Sequence, residues 1–194
     1  MISPAALLAV FFGHSPCIAP PQTCLVEAAR SQIGVTVRYD GSYTRISYPG
    51  GDIPPERGVC TDVIVRAYRH LGVDLQVLIH EDMLRAWGSY PRLWRLAGPD
   101  ANIDHRRVPN LSTFFSRHAR VLPVSSDPRA FLPGDVVTWR LPSELPHIGI
   151  VSDRRSESGV PLVIHNIGAG AREEDILLLF TVTGHYRYFP GRRQ

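Results

Sequence analysis

The hydrophobic pattern of this chain changes its period once, at Pro133-Gly134-Asp135. Before that point apolar residues recur at helical spacing, and after it short apolar segments with short links predict strands, several of them in hairpins. Helices followed by a run of strands indicate an α+β fold, with N-terminal helices packed on an antiparallel sheet. The predicted helices cover residues 24–33, capped by Thr23, residues 60–71, a segment capped by Asp74 and a short one capped by Asn110. The predicted strands cover residues 136–139, 148–151, 162–164, 177–182 and 186–189.

The composition is that of an ordinary globular domain. The chain has 194 residues, of which 44% are apolar and 20% are charged, so one core of normal size can form. The formal net charge is +3, and the arginines are scattered rather than interleaved with aromatic residues, which weighs against a nucleic-acid partner. A mildly basic surface suits an anionic polymer such as a bacterial cell wall, although charge alone does not choose a partner. We expect the protein to act as a monomer.

The first residues have features of an export signal. Residues 5–12 form an apolar run that is too short to span a bilayer but suits a secretory leader, with small residues at Cys17-Ile18-Ala19 for cleavage. No Lys or Arg precedes the run, and Pro20 follows the best cut site, so an N-terminal strand or helix is the alternative. We interpret residues 1–21 as a leader and 22–194 as the domain, in a periplasmic or secreted protein. Its mature chain should begin between about Ser15 and Gln22 and contain no integral membrane segment.

Cys60 is the candidate nucleophile. The chain has three cysteines, two of which would remain after removal of the leader and could pair, but this is no disulfide framework. Cys60 follows Gly58-Val59 and begins a predicted helix, where the helix dipole should favour the thiolate. The alternative is a buried structural cysteine, which is common.

His147 is the candidate general base for that thiol. It opens the predicted strand that contains Gly149, and a residue at a strand mouth is held rigidly while it stays accessible. An ordinary histidine at a strand end is the alternative. The next strand ends in His165 and Asn166. His165 shares a face with His147 only if paired residue numbers sum to an even value, and an odd sum would bring Asn166 round instead. The residue pattern leaves both registers open.

This order of residues resembles that of NlpC-like cell-wall cysteine peptidases, which have a papain-like fold. The resemblance implies that His165 is the third catalytic residue and that a tyrosine about a dozen residues before Cys60 helps to hold the oxyanion. Tyr48 has that spacing, with Tyr39 and Tyr43 as rivals. NlpC-like enzymes usually have Asp-Cys-Ser-Gly at the nucleophile, whereas here the acid, Asp62, follows the cysteine. The matching segments are Gly58-Val59-Cys60-Thr61-Asp62-Val63, Gly134-Asp135-Val136-Val137, His147-Ile148-Gly149-Ile150-Val151 and Val163-Ile164-His165.

A closer resemblance covers residues 28–190. It is to the bacterial family called domain of unknown function 1287, which is itself regarded as papain-like. The segments that carry it are Tyr48-Pro49-Gly50-Gly51-Asp52, Gly58-Val59-Cys60-Thr61-Asp62 and Gly184-His185-Tyr186-Arg187-Tyr188.

The function that these patterns favour is a thiol hydrolase that cleaves an amide bond in peptidoglycan peptides. Cys60, His147 and His165 form the expected catalytic set, and Tyr48, Asp62 and Asn166 are the candidates for oxyanion or substrate binding. Acyl or amide transfer on another substrate is one alternative, and a non-catalytic cell-wall binding module is another.

Other motifs are weaker. The three catalytic candidates could bind zinc, but they lack paired ligand spacing, and we expect no metal or cofactor. Residues 173–175, Glu-Glu-Asp, are interpreted as a solvated loop, with acids facing a basic substrate as the alternative.

Overall fold

The computed structural model describes residues 17–94 and 96–190. Its α-helices are α1 (Pro21–Arg30), α2 (Cys60–His70), α3 (Leu75–Ala86) and α4 (Val108–His118). Its strands are β1 (Arg38–Tyr39), β2 (Arg57–Gly58), β3 (Arg120–Val121), β4 (Val136–Arg140), β5 (Pro146–Arg155), β6 (Pro161–His165), β7 (Arg172–Glu174) and β8 (Thr181–Arg187). The apolar run at residues 5–12 lies outside the described residues.

The main sheet is antiparallel, with strand order β3-β8-β4-β5-β6-β7. The predicted α+β fold, helices packed on an antiparallel sheet, is therefore confirmed. One predicted strand is wrong: residues 177–180 precede β8 rather than pair in the sheet. Leu177 belongs to a second, smaller core with Phe131 and Trp139, and Phe180 packs against that core. Trp139 Nε1 donates to the Leu177 carbonyl at 3.0 Å.

Helix α2 lies at the centre of the molecule. Every residue from Cys60 to Tyr68 is buried, because α1, α3, α4 and the sheet together surround the helix. Val63, Ile64 and Ala67 pack into the main core with no exposed surface. The helix is thus fixed on all sides, and its N-terminus is presented to β5 and β6.

Two helix starts differ from the sequence-based expectation, and one agrees. Asp74 Oδ1 accepts the Gln76 N–H at 3.0 Å, so it caps α3 as predicted. The first helix begins at Pro21 rather than after Thr23, and α4 begins before Asn110, with Pro109 in its first turn. Both caps were misplaced because proline, whose fixed φ suits the first turn, starts these helices instead of a side-chain cap.

The segment before α1 is tied to it covalently. Cys17 and Cys24 form a disulfide, and Cys60 is the free cysteine. No helix within residues 17–94 and 96–190 is long and apolar enough to cross a membrane.

Candidate active site

The N-terminus of α2 is built around Asp62. Asp62 Oδ2 accepts the Val59 N–H at 2.7 Å, which satisfies a backbone donor at the helix start. The same carboxylate pairs with Arg106, whose Nε lies 2.9 Å from Oδ1. Asp62 is only 3% exposed, so the structure places it beneath the Cys60 turn as a support and not on an open surface.

Arg106 connects this turn to the loop that follows β1. Its two terminal nitrogens donate to the carbonyls of Ser42 and Asp40, at 3.0 and 2.9 Å. The buried Asp62–Arg106 pair therefore anchors both the turn at Cys60 and the loop that follows β1.

Asn166 holds the residue two positions before the cysteine. Its Nδ2 donates to the Gly58 carbonyl at 2.9 Å, and its Oδ1 accepts the Gly168 N–H at 3.2 Å. The Asp40 N–H also donates to Gly58, at 3.1 Å. Asn166 thus orients the backbone before Cys60, and within the described part of the chain no hydrogen bond joins it to His147.

The register of β5 and β6 selects His165 as the partner of His147. Ile150 pairs with Ile164 and Val151 with Val163, so paired numbers have an even sum and the two histidines share a face. His147 Nε2 lies 3.0 Å from His165 Nδ1. Both rings are buried, with 2% and 0% of their surface exposed.

Gly149 makes this approach possible. Extended by one residue, the register sets Gly149 opposite His165. A Cβ at position 149 would lie 2.5 Å from Val163 Cγ1 and 3.2 Å from His165 Cβ. Any larger residue would push β6 away, so the glycine allows the close approach.

Cys60 lies against β5 one residue from His147. The Ile148 N–H is directed at the Cys60 sulfur, as are the N–H groups of Thr61 and Cys60 itself, and all three lower the thiol pKa. Burial outweighs them, and with the charge of Asp62 it raises the pKa of the Cys60 thiol to about 12. The thiolate expected from the helix dipole is therefore not the resting form.

The imidazole of His147 is also neutral at rest. Burial lowers its pKa to about 3, and the neighbouring His165 adds to the effect. Trp139 lies along the ring, with centroids 5.8 Å apart. In the part of the chain that the structure describes, no hydrogen bond joins Cys60 to His147, so thiol and imidazole do not form an ion pair.

Of the three candidate tyrosines, Tyr39 is the one coupled to the thiol. Partial burial, together with the nearby Cys60 and Asp62, raises the pKa of Tyr39 to about 12. Tyr39 is brought near Cys60 by the parallel pairing of β1 with β2, in which Tyr39 lies opposite Gly58. This pairing could not be predicted from the sequence, because the two strands have only two residues each.

Tyr48 and Tyr43 have other neighbours. The Tyr48 ring packs edge-on against His80 with centroids 5.3 Å apart, and Tyr43 donates its hydroxyl to Asp100 at 3.0 Å. The loop extends towards α3 before it returns through β2, so Tyr48, with the expected spacing, lies against α3.

Glu174 was missed by sequence reasoning. Residues 172–174 form β7 instead of a solvated loop, and Glu174 Oε2 lies 3.0 Å from His165 Nε2. The glycine-rich turn at residues 168–170 could have predicted β7, since such a turn directly after a strand favours a second, antiparallel strand.

Residues 17–94 and 96–190 contain no group of three or more His, Cys, Asp or Glu side chains that could hold a metal ion.

Fold and site together define an α+β protein in which Cys60 begins a buried helix packed on an antiparallel sheet, and strands β5 and β6 of that sheet contain the hydrogen-bonded His147 and His165. The chain belongs to the family described as Domain of unknown function (DUF1287), whose model matches residues 26–188. This confirms the family expected from the sequence.

Individual proteins also show similarity to the chain. The Escherichia coli (strain K12) protein described as "Uncharacterized protein YijF" is 51% identical over 195 residues, and 95% of each chain is covered. The structure titled "Structure of NlpC1 from Trichomonas vaginalis" is 15% identical, with a TM-score of 0.49. The match covers 86% of this chain but only 44% of that one.

Proposed function

We propose that this protein is a thiol hydrolase that cleaves an amide bond through Cys60, His147 and His165. The observation that carries the proposal is the buried His147–His165 hydrogen bond of 3.0 Å, formed on β5 one residue from the N–H that faces the Cys60 sulfur. A nucleophile, a base and a group that orients the base are the parts that acyl transfer requires.

The first step begins from a neutral pair. Because His147 uses Nε2 to bond His165, its Nδ1 is left to accept a proton. As the sulfur bonds to the substrate carbonyl carbon, the thiol proton passes to His147 Nδ1. His147 then donates that proton to the leaving amine as the carbon–nitrogen bond breaks. Water, deprotonated by His147, hydrolyses the resulting thioester and restores the thiol.

The developing oxyanion has two candidate donors. One is the backbone N–H of Cys60, at the positive end of α2. The other is the Tyr39 hydroxyl, whose pKa of about 12 leaves it protonated, as an ordinary tyrosine is, at neutral pH. The electrostatic interaction of Tyr39 with Cys60, which Tyr48 lacks, supports Tyr39 as the side-chain donor in this role.

The proposed substrate is a peptide of peptidoglycan, reached after export to the periplasm or beyond. The Cys17–Cys24 disulfide supports this compartment, since such bonds persist in oxidising environments. The disulfide also favours a leader cleavage site before Cys17 within the expected range, because a later cut would remove Cys17 from the mature protein.

Mass analysis of purified cell wall after incubation with the protein tests the proposal. Wild-type protein should release peptide fragments, while Cys60→Ala and His165→Ala lose at least about a hundredfold in rate. Asn166→Ala is the matched control: it removes a hydrogen bond to Gly58 but not the histidine pair, so it should lose far less activity.

Each outcome of that experiment has a distinct meaning. Equal release by Cys60→Ala would overturn the thiol chemistry, and no release by wild type would overturn the substrate. Products joined to an added amine would favour acyl transfer, and wall binding without products would favour the non-catalytic module. Greater loss in Asn166→Ala than in His165→Ala would give Asn166 the orienting role.

A further inference from the structure

His165 has a second hydrogen-bonding partner on the side away from His147. Its Nε2 lies 3.0 Å from Glu174 Oε2, and the histidine side chain has no exposed surface while the glutamate side chain is 36% exposed. The three groups thus form a line that runs from the site out to the protein surface.

Strand pairing explains why Glu174 and not its neighbour makes this contact. His165 pairs with Arg172 across β6 and β7, and residues two apart on a strand share a face, so Glu174 lies on the His165 side. Glu173 points to the opposite face, where it accepts hydrogen bonds from Arg30 and Ser152. The two adjacent acids therefore have separate partners.

Hydrogen-bond chemistry then fixes the position of each proton along the line. An ionised carboxylate only accepts, so His165 must carry its hydrogen on Nε2. Neutral His165 then has a lone pair on Nδ1, and that atom must accept from Nε2–H of His147. This leaves His147 Nδ1 without a hydrogen, which is the state that a base for the Cys60 thiol requires.

We propose that Glu174 is a positioning residue that sets the tautomers of His165 and His147 and stabilises the positive charge that His147 gains during the reaction. The effect of Glu174 on catalysis rests on the proposed function. The assignment of the tautomers does not, because it follows from the hydrogen bonds alone.

The charged groups around His165 agree with this assignment. Burial lowers the pKa of His165, while the carboxylate of Glu174 opposes that effect and Arg172 adds to it. Arg172 Nη1 also lies 3.7 Å from Glu174 Oε1 on the same strand. A surface ion pair between Arg172 and Glu174 with no effect on His165 is the competing account.

Nitrogen NMR of the full chain, labelled with ¹⁵N in its histidines, tests the assignment directly. Wild type should show both His147 and His165 protonated on Nε2. In Glu174→Ala, His165 should become a mixture of tautomers, and in Glu174→Gln it should stay closer to wild type because the amide oxygen can still accept. Asp175→Ala, which removes an exposed acid next in sequence, is the control and should change neither histidine.

The same variants are then compared in the cell-wall assay. Glu174→Ala should lower kcat by about tenfold to a hundredfold, the range typical for carboxylates that orient the imidazoles of metal-binding histidines, with Glu174→Gln intermediate and Asp175→Ala unchanged. Unaltered His165 tautomers in Glu174→Ala would overturn the proposal, as would an equal loss of kcat in Asp175→Ala. A tautomer change in a protein that releases no fragments would uphold the positioning role while the proposed hydrolysis fails.

Discussion

Individual polar residues around Cys60 are arranged so that almost all of them hold another group in place. Asp62 and Arg106 fix the helix start, Asn166 fixes the Gly58 carbonyl, and His165 fixes His147. Buried polar groups are expensive unless they are paired, so such pairs persist at a site where geometry matters. The Cys60 thiol differs from these residues: it holds no other group in place, and burial keeps it neutral by raising its pKa.

The pH dependence of alkylation follows from this neutral thiol. Because the pKa of Cys60 is raised to about 12, the thiolate is scarce below that pH, so labelling by iodoacetamide should be slow at pH 5–7 and rise throughout the alkaline range. Mass spectrometry can follow the reaction cleanly, because Cys60 is free and Cys17 and Cys24 are paired. Cys60→Ser, which should take up no label, is the control.

The opposite pH dependence of alkylation would refute a neutral Cys60 thiol beside a neutral His147 imidazole. Rapid labelling with a plateau at acidic pH would mean that a thiolate–imidazolium pair exists before substrate binds, as the helix position alone suggested. The proposed first step, proton transfer during attack, would then need to be replaced by attack from a preformed thiolate.

Among the secondary-structure elements, the β5–β6 pairing has the largest influence on the site. It brings His147 and His165 to one face and requires glycine at position 149. Gly149→Ala should therefore destabilise the fold by about 1–3 kcal/mol through overpacking and should also lower activity. Denaturant unfolding and the cell-wall assay measure the two effects.

Gly88→Ala is the matched control for that substitution. A Cβ at Gly88 would meet no atom within 4 Å, so the change in unfolding free energy should stay within about 0.5 kcal/mol. If Gly149→Ala were as harmless as Gly88→Ala, the close approach of β5 and β6 would not be what positions His165.

The sequence predicted the elements with strong local patterns. The apolar stripe of α2 and the segments of β4, β5 and β6 located Cys60 and His147 on the correct elements. Pairing between distant segments was beyond a periodicity argument, so the β5–β6 register stayed open until the structure gave an even sum. The pairing that favours Tyr39 over its rivals and the contact of Glu174 with His165 were not predicted for the same reason, since β1, β2 and β7 have three residues or fewer.

At the scale of the whole molecule, one main core joins the helices to the sheet and holds the site at their junction. Residues of α2, α4 and β5 share this core, so the cysteine and its proposed base are attached to a single packed body. The N-terminal segment is added to that body by the Cys17–Cys24 disulfide.

The disulfide gives a test of export and of stability together. A loop of this length should stabilise the fold by about 2–3 kcal/mol in the chain-entropy description. The double variant Cys17→Ser, Cys24→Ser should therefore unfold more easily than oxidised wild type and match wild type under reducing conditions. N-terminal sequencing of the native protein should find a start before Cys17.

Two results would count against that prediction. A native chain beginning at Pro20 or later would lack Cys17 and hence the disulfide. An intact Met1 would contradict the leader and weaken the cell-wall substrate, while the chemistry of Cys60 and His147 would be unaffected.

The most direct test of the central claim is the detection of a thioester on Cys60. Wild-type protein is incubated with soluble peptidoglycan peptides, quenched in acid and analysed by intact mass and peptide mapping. We predict an acyl adduct on the Cys60 peptide that neutral hydroxylamine removes, absent from Cys60→Ala and strongly reduced in His147→Ala. Peptide cleavage that proceeds without an adduct on Cys60, or that persists in Cys60→Ala, would contradict the account.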